Sequence, residues 1–102
     1  MSSKHIAILG STGSIGKNAL RVIDALGPKY KIFALSAHSS VEQLADQTRR
    51  YKPKFIAITN SDYEQRLGKL VSDLNVEVLS GPDSLIKIAE LKEVDIVLSA
   101  VV

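Results

Sequence analysis

The sequence has no cysteine. Disulfides and thiolate zinc sites are thereby excluded, and a reducing compartment suits the chain. A charge excess is also missing: 13 Lys and Arg stand against 11 Asp and Glu, a formal net charge of +2. That balance is too even to point to nucleic acid or a membrane surface as a partner. No apolar run is long enough to span a bilayer. Residues 1–5 lead straight into an apolar strand, without the basic and apolar regions of a secretory signal or the arginines of a transit peptide. The expectation is a cytoplasmic protein. The carboxylates are scattered, and none shows the spacing of a metal site or an acid–base pair. What is present is ordinary for a globular domain: 45% hydrophobic and 24% charged residues. A disordered tail is excluded. The 102 residues amount to one domain, residues 1–102, with a thin core margin for its size.

Short β-rich runs alternate with amphipathic stretches. Residues 6–9 are a compact apolar run ending at Gly10, which reads as a buried strand. From Ile15 the apolar positions are Ile15, Ala19, Leu20, Val22, Ile23 and Leu26; the spacing is helical, and Gly27 and Pro28 stop it. Residues 32–35 form a second strand. Val41, Leu44, Ala45 and Thr48 mark a second helix, with Ser40 as cap and Gln43 as its capping-box partner. Residues 55–58 form a third strand. A third helix follows residues 60–62 and carries Tyr63, Leu67, Leu70, Val71 and Leu74 on one face. Residues 76–79 make a fourth strand, and Leu85, Ile86, Ala89 and Leu91 line a short fourth helix. A fifth, buried strand opens at Asp95. Strands alternating with helices predict an α/β fold: a Rossmann-type, doubly wound parallel sheet of five strands in three αβα layers. The chain stops at the end of that fifth strand, so it is expected to be a piece of a longer polypeptide.

The strongest motif runs from Ile8 to Gly16 and contains Gly10, Ser11, Thr12, Gly13, Ser14, Ile15 and Gly16. It closes the first strand and opens the first helix with the spacing G-x-x-G-x-x-G, a variant of the dinucleotide fingerprint. Gly10 allows the tight turn, Gly13 lets a pyrophosphate approach the backbone, and Gly16 lets helix and sheet pack closely. The amides of Thr12, Gly13, Ser14 and Ile15 sit at a helix N-terminus, where orphan donors and the helix dipole hold an anion. The hydroxyls of Ser11, Thr12 and Ser14 are expected to add donors. No Gly-Lys-Ser/Thr closes the motif, so it is not a P-loop.

The end of the second strand selects the cofactor. Enzymes that use NAD place a carboxylate there for the ribose 2′-OH. Here residues 36–40 contain none, and His38, Ser39 and Ser40 offer donors to a 2′-phosphate. The expected cofactor is NADPH. Ala100 and Val101, at the C-terminal edge of the fifth strand, are expected to line the same cleft. The basic cluster at residues 49–54 reads as a solvated helix end rather than a nucleic-acid patch, and His5 as a surface residue.

The string from Ile8 to Gly16, followed by Leu20, Val22 and Ile23, resembles the N-terminus of 1-deoxy-D-xylulose 5-phosphate reductoisomerases. Val78 to Gly81, Val94 with Asp95, and Ala100 to Val102 resemble the same family at similar spacings. The resemblance covers nearly the whole chain. It implies an NADPH-dependent enzyme that converts 1-deoxy-D-xylulose 5-phosphate to 2-C-methyl-D-erythritol 4-phosphate in non-mevalonate isoprenoid synthesis, with a divalent metal (Mg or Mn). It implies that Thr12, Gly13, Ser14 and Ile15 belong to the pyrophosphate-binding stretch. His38, Ser39 and Ser40 stand where the family commonly has a Gly/Lys/Asn-type segment, and here the sequence departs from it. The family's metal and substrate-phosphate residues lie in later regions, so no catalytic or metal residue is expected in this chain. A homodimer is implied for the longer enzyme, and the 102-residue chain is expected to be inactive and able to stand as a monomer. Two other readings fit the residues: the nucleotide domain of another NADP-dependent dehydrogenase, of semialdehyde or homoserine type, and a non-catalytic nucleotide sensor.

Overall fold

The computed structural model describes residues 3–101. Met1 and Ser2, in the expected N-terminal segment, and Val102, the last residue of the family-like string, lie outside the described residues. The elements are β1 (Lys4–Leu9), α1 (Ser14–Ala25), β2 (Tyr30–Ala37), α2 (Val41–Tyr51), β3 (Phe55–Ile58), a 3-10 turn (Ser61–Tyr63), α3 (Glu64–Leu70), β4 (Glu77–Ser80), α4 (Ser84–Ala89) and β5 (Ile96–Ser99). Every strand pair is parallel, and the sheet order is β4-β3-β2-β1-β5.

That order explains the two layers of helices. From β1 to β4 the chain steps across the sheet in one direction. It then returns past β1 to lay down β5. Crossovers between parallel strands are right-handed, so reversing the direction of travel moves the connecting helix to the other face. The core divides accordingly. On one face Ile6, Ile8, Leu35, Ala37, Ile56 and Ile58 pack with Leu20 and Ile23 of α1, Val41, Leu44 and Ala45 of α2, and Leu67 of α3. On the other, Ile88 of α4 is fully buried on Ala7, Ala34 and Ala57. Those three alanines sit on adjacent strands, and their small side chains let a helix of only six residues lie close to the sheet.

The register of β1 on β2 shifts between Ile6 and Ala7, which pair with Ile32 and Ala34 and leave Phe33 as the extra residue. Phe33 stacks on His5 with ring centroids 4.8 Å apart and tilts against Phe55 at 5.7 Å. His5 Nδ1 lies 3.0 Å from the Glu93 carbonyl oxygen. His5 is therefore a packed residue, not the free surface residue expected from the sequence.

Other expectations shift by a turn or a face. The buried positions of α1 are Gly16, Leu20 and Ile23. Ile15, Val22 and Leu26 occupy the neighbouring stripe and are more than half exposed. The expected apolar face merged these two stripes. β5 is an edge strand: it pairs only with β1, and Val97 and Leu98 are 42% and 38% exposed. Tyr63 falls in the 3-10 turn and is exposed, because the helix proper begins one residue later. In α4 the buried residues are Ser84 and Ile88, one turn apart, while Ile86 points outward. The Ser40 capping box does not form, since the Ser40 side chain makes no cap bond and Gln43 is exposed.

The basic cluster is a helix end, as its position implied. Arg49 donates to both carboxylate oxygens of Asp73 at 3.0 Å and to the Leu70 carbonyl at 2.7 Å, tying α2 to the end of α3. Arg50 lies over the Tyr51 ring. Arg66 of α3 pairs back to Glu42 of α2. The hydrogen bond from Arg49 holds the Asp73 carboxyl below its ordinary range, and that from Arg66 does the same for Glu42. A lowered carboxylate pKa stabilises the fold above the unfolded value and is lost as pH falls. Both pairs are solvent-exposed, so their effect is small.

No helix among the described residues is long and apolar enough to cross a membrane. The packing predicts a sharp contrast between two substitutions. Ile56→Ala, at a fully buried position of β3, should lower the unfolding free energy by about 2–5 kcal/mol. Val22→Ala on the exposed stripe of α1 should change it by less than about 0.5 kcal/mol. Urea titration followed by circular dichroism measures both.

Candidate functional site

The reversal of strand order falls at β1, between β2 and β5, and parallel α/β sheets bind ligands at the C-terminal edge of such a switch point. A cleft of about 450 Å³ opens there. It is lined by Gly10, Thr12 and Gly13 after β1, by Ser36, Ala37 and His38 at the end of β2, by Thr59 after β3, by Leu85, and by Ala100 and Val101 after β5. Another cavity of similar size, about 430 Å³, lies among Ile23, Gly27, Tyr30 and Tyr51, away from the switch point.

The turn from β1 to α1 is fixed from below. Gly10 adopts φ +80°, a left-handed conformation that favours glycine. A Cβ there would also stand 3.0 Å from the Ala100 backbone. The Gly10 amide donates to Ser36 Oγ at 2.9 Å, and the Ser11 amide to the Ser36 carbonyl at 2.8 Å. The Ser11 side chain is fully buried: its hydroxyl donates to Gln47 Oε1 at 2.6 Å, and Gln47 Nε2 donates back to the Ser11 carbonyl at 2.8 Å. Ser11 thus anchors the turn to α2. The expected Ser11 hydroxyl donor does not reach the cleft.

The glycines divide into two kinds. A Cβ on Gly16 would lie 2.3 Å from the Gly10 carbonyl oxygen and 2.6 Å from Ser11 Cα, so the fold itself demands glycine. Gly13 differs. Its φ of −74° and ψ of 170° suit any residue, and an added Cβ would meet only the Gly10 oxygen, at 3.8 Å. Nothing in the protein requires glycine at Gly13, which stands on the cleft wall. A ligand pressed against the backbone would require it.

Lys17 is the first residue to donate back into α1, to the Gly13 carbonyl at 2.9 Å. The amides of Ser14, Ile15 and Gly16 precede that bond and stand at the positive end of the helix dipole. The Gly13 amide makes only a long bond of 3.4 Å, to the Gly10 carbonyl. Ser14 is exposed beside the cleft wall, while the Ile15 side chain is 63% exposed and turned away from the core.

At the end of β2 the backbone is tied to the exit of β3. The Thr59 amide donates to the Ala37 carbonyl and the Asn60 amide to the His38 carbonyl, each at 3.0 Å. His38 Nδ1 lies 2.7 Å from Thr59 Oγ1. No carboxylate lines the cleft. Of the expected site residues, the structure brings Gly10, Thr12, Gly13, His38, Ala100 and Val101 onto one cleft. Ser39 and Ser40 stand just outside it, at the start of α2, and Ser14, Ile15 and Gly16 lie behind the turn. The sequence reading missed four lining residues: Ser36, Ala37, Thr59 and Leu85. Thr59 was findable, because it follows β3 at the same edge where β1 and β2 were searched. Leu85 carried no comparable signal.

The family model for 1-deoxy-D-xylulose 5-phosphate reductoisomerase matches residues 6–102. The chain belongs to the 1-deoxy-D-xylulose 5-phosphate reductoisomerase family. The reductoisomerase of Thermodesulfovibrio yellowstonii is 46% identical over 99 residues, which cover 97% of this chain and 26% of that protein. That of Francisella tularensis subsp. novicida is 47% identical over 97 residues, or 95% of this chain and 24% of that protein. The chain thus spans about a quarter of the length of the curated relatives it matches. Among solved structures, a reductoisomerase in complex with NADPH, fosmidomycin and magnesium superposes with a TM-score of 0.91 at 36% identity, over 96% of this chain and 24% of that one. The Zymomonas mobilis reductoisomerase in complex with NADPH gives 0.85 at 29% identity, over 90% and 24%. The Rossmann-like nucleotide fold expected from the sequence is the fold of these reductoisomerases.

The two kinds of glycine should separate by experiment. Gly13→Ala should keep the stability of the parent chain, within about 0.5 kcal/mol. Gly16→Ala should destabilise it by about 1–3 kcal/mol, because backbone must move to admit the methyl group. Thermal unfolding of the two variants gives the comparison.

Proposed function

We propose that this chain is the NADPH-binding part of an enzyme that converts 1-deoxy-D-xylulose 5-phosphate to 2-C-methyl-D-erythritol 4-phosphate in isoprenoid synthesis. One observation carries the reading: the cleft at the switch point is walled by Gly10, Thr12 and Gly13, the turn that leads into the N-terminus of α1, and no carboxylate lines it. Thr12, Gly13 and Ser14, with the Ile15 amide behind them, cradle the pyrophosphate. Gly10 gives the backbone room to turn beneath it. His38, Ser39 and Ser40 take the adenosine 2′-phosphate. Ala100 and Val101 wall the far side of the cleft, toward the nicotinamide. NADPH held there would supply the hydride for the reductive half of that conversion. The chain's own part is to bind and orient the dinucleotide.

The chemistry at the substrate belongs to other parts of the polypeptide. No group of three or more His, Cys, Asp or Glu that could hold a metal occurs among the described residues. The residues here do not fit a divalent cation, so no step is assigned to one. In this reading a metal and the sugar-phosphate substrate are held by other parts of such an enzyme; the related reductoisomerase is known in complex with magnesium and fosmidomycin. The complete enzyme is a homodimer in this reading, and its compartment is the cytoplasm.

Calorimetric titration of the chain tests the assignment. NADPH should bind more tightly than NADH by roughly 10- to 100-fold, the value of one or two charge-assisted hydrogen bonds to the 2′-phosphate. Gly13→Val should abolish binding while the chain stays folded, since the branched side chain would fill the phosphate's place. Equal affinity for the two dinucleotides, or NADPH binding by folded Gly13→Val, would reject the assignment. With substrate, magnesium and NADPH supplied together, the chain alone should show no turnover.

A further inference from the structure

Resting on the NADPH reading above, we infer that Thr59 is a positioning residue that sets preference for a 2′-phosphorylated dinucleotide by aiming His38. The cleft offers one ionisable side chain, His38. No Lys or Arg lines the cleft, and residues 36–40 at the end of β2 contain none, so no fixed positive side chain stands there. A neutral imidazole has one donor and one acceptor nitrogen, and which is which depends on the partners. Left alone, His38 would present an acceptor to a phosphate about as readily as a donor.

Thr59 serves either tautomer and holds the ring in place while the ligand selects between them. Its hydroxyl lies 2.7 Å from His38 Nδ1. A hydroxyl rotates to suit its partner, so it can donate to Nδ1 or accept from it. An anion at the other ring nitrogen favours Nε2–H, and Thr59 then donates to the bare Nδ1. The ring so held offers an Nε2–H hydrogen bond to a phosphate. The same partner fixes the ring plane, a role that a second group commonly plays for functional histidines. The geometry is rigid because the backbone is pinned as well. Thr59 N–H to Ala37 O and Asn60 N–H to His38 O lock the exits of β2 and β3 together.

A double-mutant cycle tests this on the 102-residue chain, with NADPH, NADH and adenosine 2′,5′-bisphosphate as titrants. Thr59→Val, a close match in shape, should cut the ratio of NADPH to NADH affinity by roughly tenfold, the value of one oriented hydrogen bond to a charged group. Thr59→Ser should retain the parental ratio. In a His38→Ala background, Thr59→Val should have no further effect, because the two residues act as one unit. Losses that add across the cycle, or an equal loss for both dinucleotides, would overturn the inference and leave Thr59 as a plain cleft wall. Nitrogen-15 NMR of the parent chain gives a check that needs no variant. Adding adenosine 2′,5′-bisphosphate should shift the His38 ring to the form protonated on Nε2 and bare on Nδ1, and an unchanged ring would count against the proposal. If the parent chain binds no dinucleotide at all, the NADPH reading fails and takes this one with it. If it binds NADPH selectively and Thr59→Val changes nothing, only this inference falls.

Discussion

The architecture of the site depends on one close approach: the first turn of α1 crosses the Gly10 carbonyl at a separation that admits no side chain at Gly16. Because helix and turn touch there, the N-terminus of α1 is held directly above the end of β1. The amides that the helix cannot satisfy internally then stand next to the turn that walls the cleft. The rest of the anchoring serves the same end. Ser36 accepts the Gly10 amide, and Ser11 is buried against Gln47. Ser11, a ligand donor by its sequence position, is used instead to fasten the turn to α2, as Ser36 fastens it to β2. The phosphate cradle is therefore a product of packing, and the charge that recommends it to an anion is the backbone's own.

The cleft exists because the sheet reverses at β1. The helices after β1, β2 and β3 lie on one face, and α4 lies on the other. Between the two sets the strand ends are left uncovered. The face beneath α4 needs little bulk: Ala7, Ala34 and Ala57 bring the backbone planes near enough for Ile88 alone to fill the gap. The bulge at Phe33 keeps this possible. It restores small residues to that face of β2 after the aromatic, and it places Ser36 where it can receive the Gly10 amide. A strand in simple alternation from Ile32 would put Phe33 and Leu35 on one face, with Ala34 on the other. The core and the site both depend on that one extra residue.

This also marks where the sequence was legible and where it was not. The order of elements and the nucleotide turn could be read, because each strand is bounded by a breaker and the glycine spacing is tied to a specific geometry. The sides of the elements were harder. Ile15, Val22 and Leu26 are as apolar as Leu20 and Ile23, yet they are exposed. Apolar character does not tell which of two adjacent helical stripes meets the sheet. Ser11 and Ser14 are chemically alike, and only the fold sends one inward and leaves the other exposed. β5 read as buried because it is apolar. It is in fact an edge, since the described residues contain no further strand to lie beside it. Thr59 escaped notice because its partner is 21 residues away, on another strand.

A division of labour follows. Backbone amides at a helix start grip any diphosphate, so the Gly10–Gly16 turn alone does not choose among dinucleotides. Choice needs side chains, and in the proposed reading these come from the ends of β2 and β3, which meet the cleft on the side away from β5. In the usual arrangement for NAD a carboxylate there accepts from a ribose hydroxyl and repels a phosphate. Here that position carries a histidine held by a threonine, and the repulsion is gone. Excluding the unphosphorylated cofactor is harder than admitting the phosphorylated one, because NADH meets no clash. Selectivity must come from hydrogen bonds that only the 2′-phosphate can complete, and from the cost of leaving His38 without its ligand. Such a site discriminates by what it gains from the phosphate. Its selectivity is therefore bounded by the strength of one or two oriented donors.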